Sequence, residues 1–288
     1  MKKPKFFSRK SKGEIVLHVF VSCVFTLVAA SYVYLLLGAV LAGARTHTEI
    51  VVNPFALPKH WDFTPFLEVF TLLEVNGNNF FDMLFNSVYF SVVPTLISQF
   101  TTMSFAYCCT KYKFPGNTLP YTIILVMITL PLYGTGGATY RIYQELGVIN
   151  SYAQIICAIG GFNAGFLYYR AYYKNVSWAY AEAAMIDGAD DFKIYSRVMF
   201  PLGKPLFVAF FIQSWLQAWN SYENAMVYRP KLATLPLGIY QFNTEMIYRA
   251  RLDILFAACV IISIPAIILF TAFNKTLTTS VSLGGIKG

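Results

Sequence analysis

Six stretches of this 288-residue chain each run for 18 to 27 residues without an Asp, Glu, Lys or Arg. No other feature limits the possible fold so strongly. A helix needs about 20 apolar residues to cross the hydrocarbon core of a bilayer. Backbone groups in lipid must also find partners within their own segment, which calls for helices rather than open strands. The stretches are Ile15–Leu41, Asn86–Thr110 with Pro94 inside it, Thr118–Tyr140 with Pro131, Asn150–Tyr169, Pro205–Tyr222, and Ile254–Asn274 with Pro265. Neighbouring helices can repair the carbonyls that these prolines free. The expected fold class is an all-α membrane protein with six transmembrane helices. The first stretch follows a basic leader, and Ala42-Gly43-Ala44 resembles a cleavage site. Its apolar run nevertheless exceeds the ~7–15 residues of a signal core, so it reads as a retained span.

Composition supports a surface that faces something other than water. The chain is 57% hydrophobic and 12% charged, with a mean hydropathy of +0.53; soluble domains carry about 25% charged residues. The net charge of +8 raises the question of nucleic acid. The basic residues, however, sit in short clusters between apolar runs and build no continuous face for a phosphate backbone. Cys23, Cys108, Cys109, Cys157 and Cys259 all fall inside apolar runs at no metal or redox spacing, and read as small buried hydrophobes. His18, His47 and His60 are far apart. No catalytic residue and no metal site is expected.

Six spans place both termini on one side. If that side is the cytoplasm, the inner segments hold fifteen Lys and Arg and the outer ones seven, as the positive-inside rule requires. The expected organisation is a basic cytoplasmic N-terminus at 1–14, a first helix at 15–41, and an extracellular loop at 42–83. A core of five helices follows at 84–274, enclosing a cytoplasmic loop at 170–204, and then a cytoplasmic tail at 275–288. Within the outer loop, Phe66, Leu67, Val69, Phe70, Leu72 and Leu73 form an amphipathic stretch flanked by Glu68 and Glu74. It suits either the membrane surface or a docking protein, or packing against its own bundle.

The loop between the fourth and fifth spans carries the strongest local signals. Ser177 can cap a short helix through Trp178–Ile186. Gly188 can then supply the left-handed residue that ends it. Asp190 can cap a second helix from Asp191 to Met199, expected to stop at Pro201. Two short helices at an angle, with small Ala183 and Ala184 allowing close approach, make a knob suited to a partner's groove.

The spacing here is Glu182-Ala183-Ala184, three residues, Gly188, nine residues, Val198, one residue, Phe200-Pro201. It resembles the signature loop of ABC importer permeases, in which E-A-A and G are followed by I-x-L-P. Val198 and Phe200 replace the usual isoleucine and leucine. Asn86-Ser87, Tyr112-Lys113-Phe114-Pro115-Gly116, Leu146–Tyr152, Trp219-Asn220 and Thr234–Gly238 resemble carbohydrate-uptake permeases, as does the tail Gly284–Gly288. The likeness covers roughly residues 60 to 288 and is nearest to the smaller permease of maltose-type systems. It implies the ABC importer type I transmembrane fold in a bacterial plasma membrane. It also implies a second homologous permease in a heterodimer, two ATP-binding subunits docking on residues 177–200, and an extracellular solute-binding protein. ATP and Mg would bind the ATPase partner, and this chain would hold no cofactor. The coupling residues would be Glu182, Ala183, Ala184, Asp187, Gly188 and Pro201, and the cargo a sugar, commonly an oligosaccharide.

Two readings of the residues agree with that picture independently. Ion-coupled carriers hold costly ionisable groups inside their spans, and none of the six stretches has one away from its ends. Nor does the chain contain the G-x-x-x-x-G-K-[ST] loop that cradles ATP phosphates. Energy must therefore arrive from a neighbour. For a substrate path, Gln213, Gln217, Asn220 and Asn224 follow i, i+4, i+7, i+11 and would share one helical face, with Trp215, Trp219 and Tyr222 nearby. Amides bond hydroxyls and aromatic faces pack sugar rings, although buried amides also simply join helices at ~0.6 kcal/mol each. Asn163 is a further pathway candidate, and Gly161 with Gly165 reads as a helix-packing pair. The alternatives are an ABC importer of a non-sugar solute, a stand-alone carrier or channel, and an intramembrane enzyme. The last would need clustered catalytic groups inside the spans.

Overall fold

The computed structural model describes residues 12–54, 56–130, 134, 136–160, 163–246 and 251–284. It is helical throughout, with one isolated β-bridge, Val75 to Asn78, among the described residues. That bridge closes the Asn76-Gly77 turn, where both residues have positive φ, as a tight hairpin turn demands. The chain divides into two compact units, Met1–Val69 with Met246–Ile261, and Phe70–Glu245 with Ile262–Gly288.

In the first unit, α1 (Lys12–Gly43) is apolar all round, and its membrane-length window is wholly unburied by the rest of the chain. A helix of that kind faces lipid. Gly43 ends it where the chain closes tightly: a Cβ there would lie 3.0 Å from both the Ala257 nitrogen and Phe66 Cζ. Arg45 is buried. It donates to the carbonyls of Glu49 at 2.7 Å, Asn53 at 2.6 Å and Pro54 at 3.1 Å, satisfying the open end of α2 (His47–Val52). Arg251 bonds Glu68 and, at 3.0 Å, Asp253. The amphipathic stretch forms α3 (Thr64–Leu72). Pro65, Val69 and Leu73 bury one face within the chain, while Leu67 and Leu72 stay exposed.

The second unit is built on α4 (Phe80–Lys111). This helix starts earlier than expected, inside the outer loop, because Asp82 is part of a capping box rather than a break. The Asn79 side chain accepts from Phe81 and Asp82, and Asp82 accepts from the Asn79 N–H. The expected third span is not one helix. Instead α5 (Leu119–Thr129) stops before Pro131, which biases its predecessor away from helix, and α6 (Gly136–Glu145) follows. Pro131 itself lies outside the described residues.

The fourth expected span is also corrected. Tyr152–Ala158 is a 3-10 turn, and α7 (Ala164–Asn175) begins only after a break near Gly160. Side chains of α4 satisfy that break: Thr101 and Thr102 hydroxyls donate to the Gly160 carbonyl at 2.7 and 3.2 Å, and Asn163 donates to Thr102 at 2.8 Å. Irregular backbone at membrane depth persists where protein groups repair it or where it lines a cavity. Of the small-residue pair, Gly165 packs toward Thr102 and Tyr169; Gly161 lies outside the described residues.

Next come α8 (Ala179–Ile186), α9 (Asp191–Ile194), a π-helical turn Tyr195–Met199, and α10 (Phe200–Asn220). Pro201 therefore does not end the second helix. Asp191–Asn220 is continuous and long enough to cross a membrane. The turn widens ahead of the proline, with the Phe200 N–H reaching the Tyr195 carbonyl, so the ring's clash and missing N–H are absorbed. The chain closes with α11 (Glu223–Tyr228), α12 (Leu235–Met246) and α13 (Leu252–Gly284). The last helix carries the expected tail in helical form as far as Gly284. Four helices meet the length and apolarity of a membrane crossing among the described residues. The third and fourth expected crossings are instead broken segments.

Candidate functional site

Two features stand out in the second unit. The first is the bent pair α8–α9. Ser177 accepts from the Ala179 N–H at 3.3 Å. At the other end of α8, Gly188 has φ +79. Its N–H reaches the Met185 carbonyl at 3.0 Å, and that of Ala189 reaches Ala184 at 2.9 Å. This pair of bonds is the Schellman arrangement. Asp190 then caps α9 by accepting from Lys193 at 2.9 Å.

The root of the pair is dry. Ala181, Ile194 and Met199 are fully buried among Tyr107, Tyr169 and Tyr173, and burying a side chain such as Ile194 stabilises by roughly 1.5–3 kcal/mol. Ala181 is the fully buried small residue at the close approach, Ala184 packs half-buried beside it, and Ala183 stays exposed. Tyr112 donates to Asp191 at 2.8 Å. Burial, then hydrogen bonds with Tyr107 and Asp191, pushes its hydroxyl's pKa up, so it remains a donor. The outer rim is different. Glu182, Ala183, Asp187 and Gly188 are exposed, and so are the large apolar side chains of Tyr180, Met185, Ile186 and Phe192. Ile186 is 87% exposed and Phe192 77%. A rigid root carrying a bare apolar rim is what a docking knob requires.

The second feature is a cavity of about 1040 Å³ between α4, residues 159, 160 and 163–165, α10 and the 224–229 segment. Gln213, Gln217, Asn224 and Asn163 line it; Trp219 and Asn220 do not. Trp219 is buried and donates to the Ile262 carbonyl at 3.3 Å, while Asn220 turns back onto the Leu216 carbonyl at 2.8 Å. The expected single stripe fails because α10 ends at Asn220, leaving Asn224 on α11.

Several cavity residues escaped sequence reasoning. Gln99 bonds Ser214 at 2.9 Å and accepts from Tyr169 at 2.9 Å. Polar residues inside an apolar span were the available signal for it. Arg229 also lines the wall. Its guanidinium sits 3.8 Å from the centroid of the Phe90 ring, a ring that itself stacks on Tyr152. Burial pulls its pKa down to about 10, so it stays charged at neutral pH.

Residues 71–282 match the family model described as the binding-protein-dependent transport system inner membrane component. This chain belongs to that family. The match takes in the bent pair and every cavity residue named above. Relatives include a diacetylchitobiose uptake system permease protein of Streptomyces coelicolor, 26% identical over 88% of this chain and 83% of that one. An arabinooligosaccharides transport system permease protein of Halalkalibacterium halodurans is 26% identical over 97% and 100%. Among solved structures, a bacterial ABC transporter involved in the import of the acidic polysaccharide alginate contains a similar chain. Its TM-score is 0.74 at 21% identity, covering 93% of this chain and 99% of that one, which shows the shared fold. A member of this family is a membrane component of a transport system that works with other subunits.

Proposed function

We propose that the chain is the permease subunit of an ATP-driven importer of oligosaccharides. The exposed apolar rim of the bent helix pair, held on a buried root, is the observation that supports it most. ATP-binding subunits grip residues 177–200 from the cytoplasm, and both termini lie on that side. Glu182, Ala183, Ala184, Asp187 and Gly188 face the gripping subunit or shape the corner it holds. Pro201 sets the widened turn through which movement of the pair reaches α10. A second homologous permease completes the path, and an extracellular solute-binding protein delivers the sugar.

Within this chain, Gln213, Gln217, Asn224 and Asn163 offer amides to sugar hydroxyls along the cavity. Because α10 carries Gln213 and Gln217 and continues directly from the gripped pair, a push at one end repositions them. Trp219 and Asn220 keep α10 in place rather than touch the cargo. Oligosaccharide cargo is favoured by the names of relatives that align over most of their length. Proteoliposomes holding both permeases and the ATP-binding subunits, supplied with the binding protein, are expected to accumulate labelled arabino-, galacto- or chito-oligosaccharides, or their acidic counterparts, only with internal ATP. Uptake by this chain alone would overturn the reading.

A further inference from the structure

We infer that Arg229 is a carboxylate-binding residue of the cavity, and that the cargo is an acidic oligosaccharide carrying uronate groups; this rests on the oligosaccharide-import reading. Among the described residues lining the cavity, Arg229 alone is charged, and no Asp or Glu lines it. The residue is 8% exposed, its Nε is buried without a hydrogen-bond partner, and no ion pair reaches it among the described residues. Stacking on Phe90 at 3.8 Å satisfies the face of the guanidinium and leaves its N–H edge unspent.

The surrounding loop is unusually well anchored. Asn76 donates to the Pro230 carbonyl at 2.8 Å, Asn78 to Lys231 at 3.0 Å and Asn86 to Ala233 at 3.0 Å. Asn150 accepts from the Lys231 N–H at 2.9 Å, and Ser87 from Leu235 at 2.7 Å. These bonds fix the backbone that carries Arg229 before any ligand arrives. A buried cation without a counter-charge is costly. A ligand carboxylate removes that cost, because its two oxygens match the guanidinium fork. Neutral hydroxyls cannot neutralise the charge. The amides of Gln213, Gln217 and Asn163 remain for the sugar hydroxyls.

The test uses the complete importer in proteoliposomes. Its probes are labelled oligouronides released from plant and algal acidic polysaccharides, the same mixture after carboxyl reduction to neutral sugars, and neutral arabino-, galacto- and chito-oligosaccharides. Oligouronide uptake is expected, and carboxyl reduction should lower it roughly 10- to 100-fold, as loss of a charge-assisted hydrogen bond does. Arg229→Gln should lower oligouronide uptake to a similar degree, and Arg229→Lys should keep part of it, with subunit assembly unchanged. If Arg229→Gln fails to assemble, the wild-type comparison decides by itself. Equal carriage of acidic and reduced mixtures, or of neutral sugars only, would overturn the inference and leave the import reading standing. Uptake of none of these sugars would remove both.

Discussion

Gly188 sets the corner of the bent pair by torsion rather than by size. Its φ is +79, and a Cβ built there meets nothing within 4 Å. A side chain therefore fits in space but not in conformation, at about 1–2 kcal/mol for an ordinary L residue and less for Asn. Gly188→Val is expected to reduce substrate-stimulated ATP hydrolysis by the assembled importer several-fold, with Gly188→Asn much closer to wild type. Equal losses in both would show that the torsion is not what matters. In the cavity, Gln213→Leu with Gln217→Leu should cut uptake at least tenfold while the subunits still assemble. Asn220→Leu should leave uptake within about twofold, because its amide already serves the Leu216 carbonyl. Transport by the double variant at the wild-type rate would remove these amides from the path.

Elements tell which parts of the fold could be read in advance. The first, second, fifth and sixth apolar stretches became long continuous helices, since absence of charge and sufficient length were enough to specify them. The third and fourth did not, because counting charges says nothing about backbone hydrogen bonds. Pro131, and the break at Gly160 whose carbonyl Thr101 and Thr102 of a distant helix meet, decided those segments. The corner at Gly188 and the caps at Ser177 and Asp190 were legible, being written within four residues of their partners. Pro201 was misjudged as a stop because a π turn can carry a helix past a proline. Arg229 carried no local signal; the residues that fix its loop lie 81 to 154 positions away. A direct check follows for the broken fourth segment. Thr101→Val with Thr102→Val removes both hydroxyls that meet the Gly160 carbonyl, a loss of about 0.5–1.5 kcal/mol per hydrogen bond, since Gly160 is exposed. Faster hydrogen exchange around residues 159–166 and lower yield of assembled complex are expected. Unchanged exchange there would mean that another group satisfies the break.

On the scale of the whole molecule, the proposed function links a solute-sized cavity to a docking rim for an ATP-binding partner. The link is a single rod: α9, the π turn and α10 run without interruption from the capped corner at Asp190 to the cavity amides Gln213 and Gln217. Its root, buried among Tyr107, Tyr169 and Tyr173, packs that rod against α4 and α7. The most direct measurement is cross-linking at the exposed Ala183. In a variant whose five native cysteines are replaced by serine, Ala183→Cys is paired with single cysteines on the ATP-binding subunit of the complete importer. A disulfide is expected to form from the cytoplasmic side, to stop ATP-driven uptake, and to release it on reduction. Labelling of the introduced thiol only by reagents added outside the cell, or unimpeded import with the cross-link in place, would contradict the account.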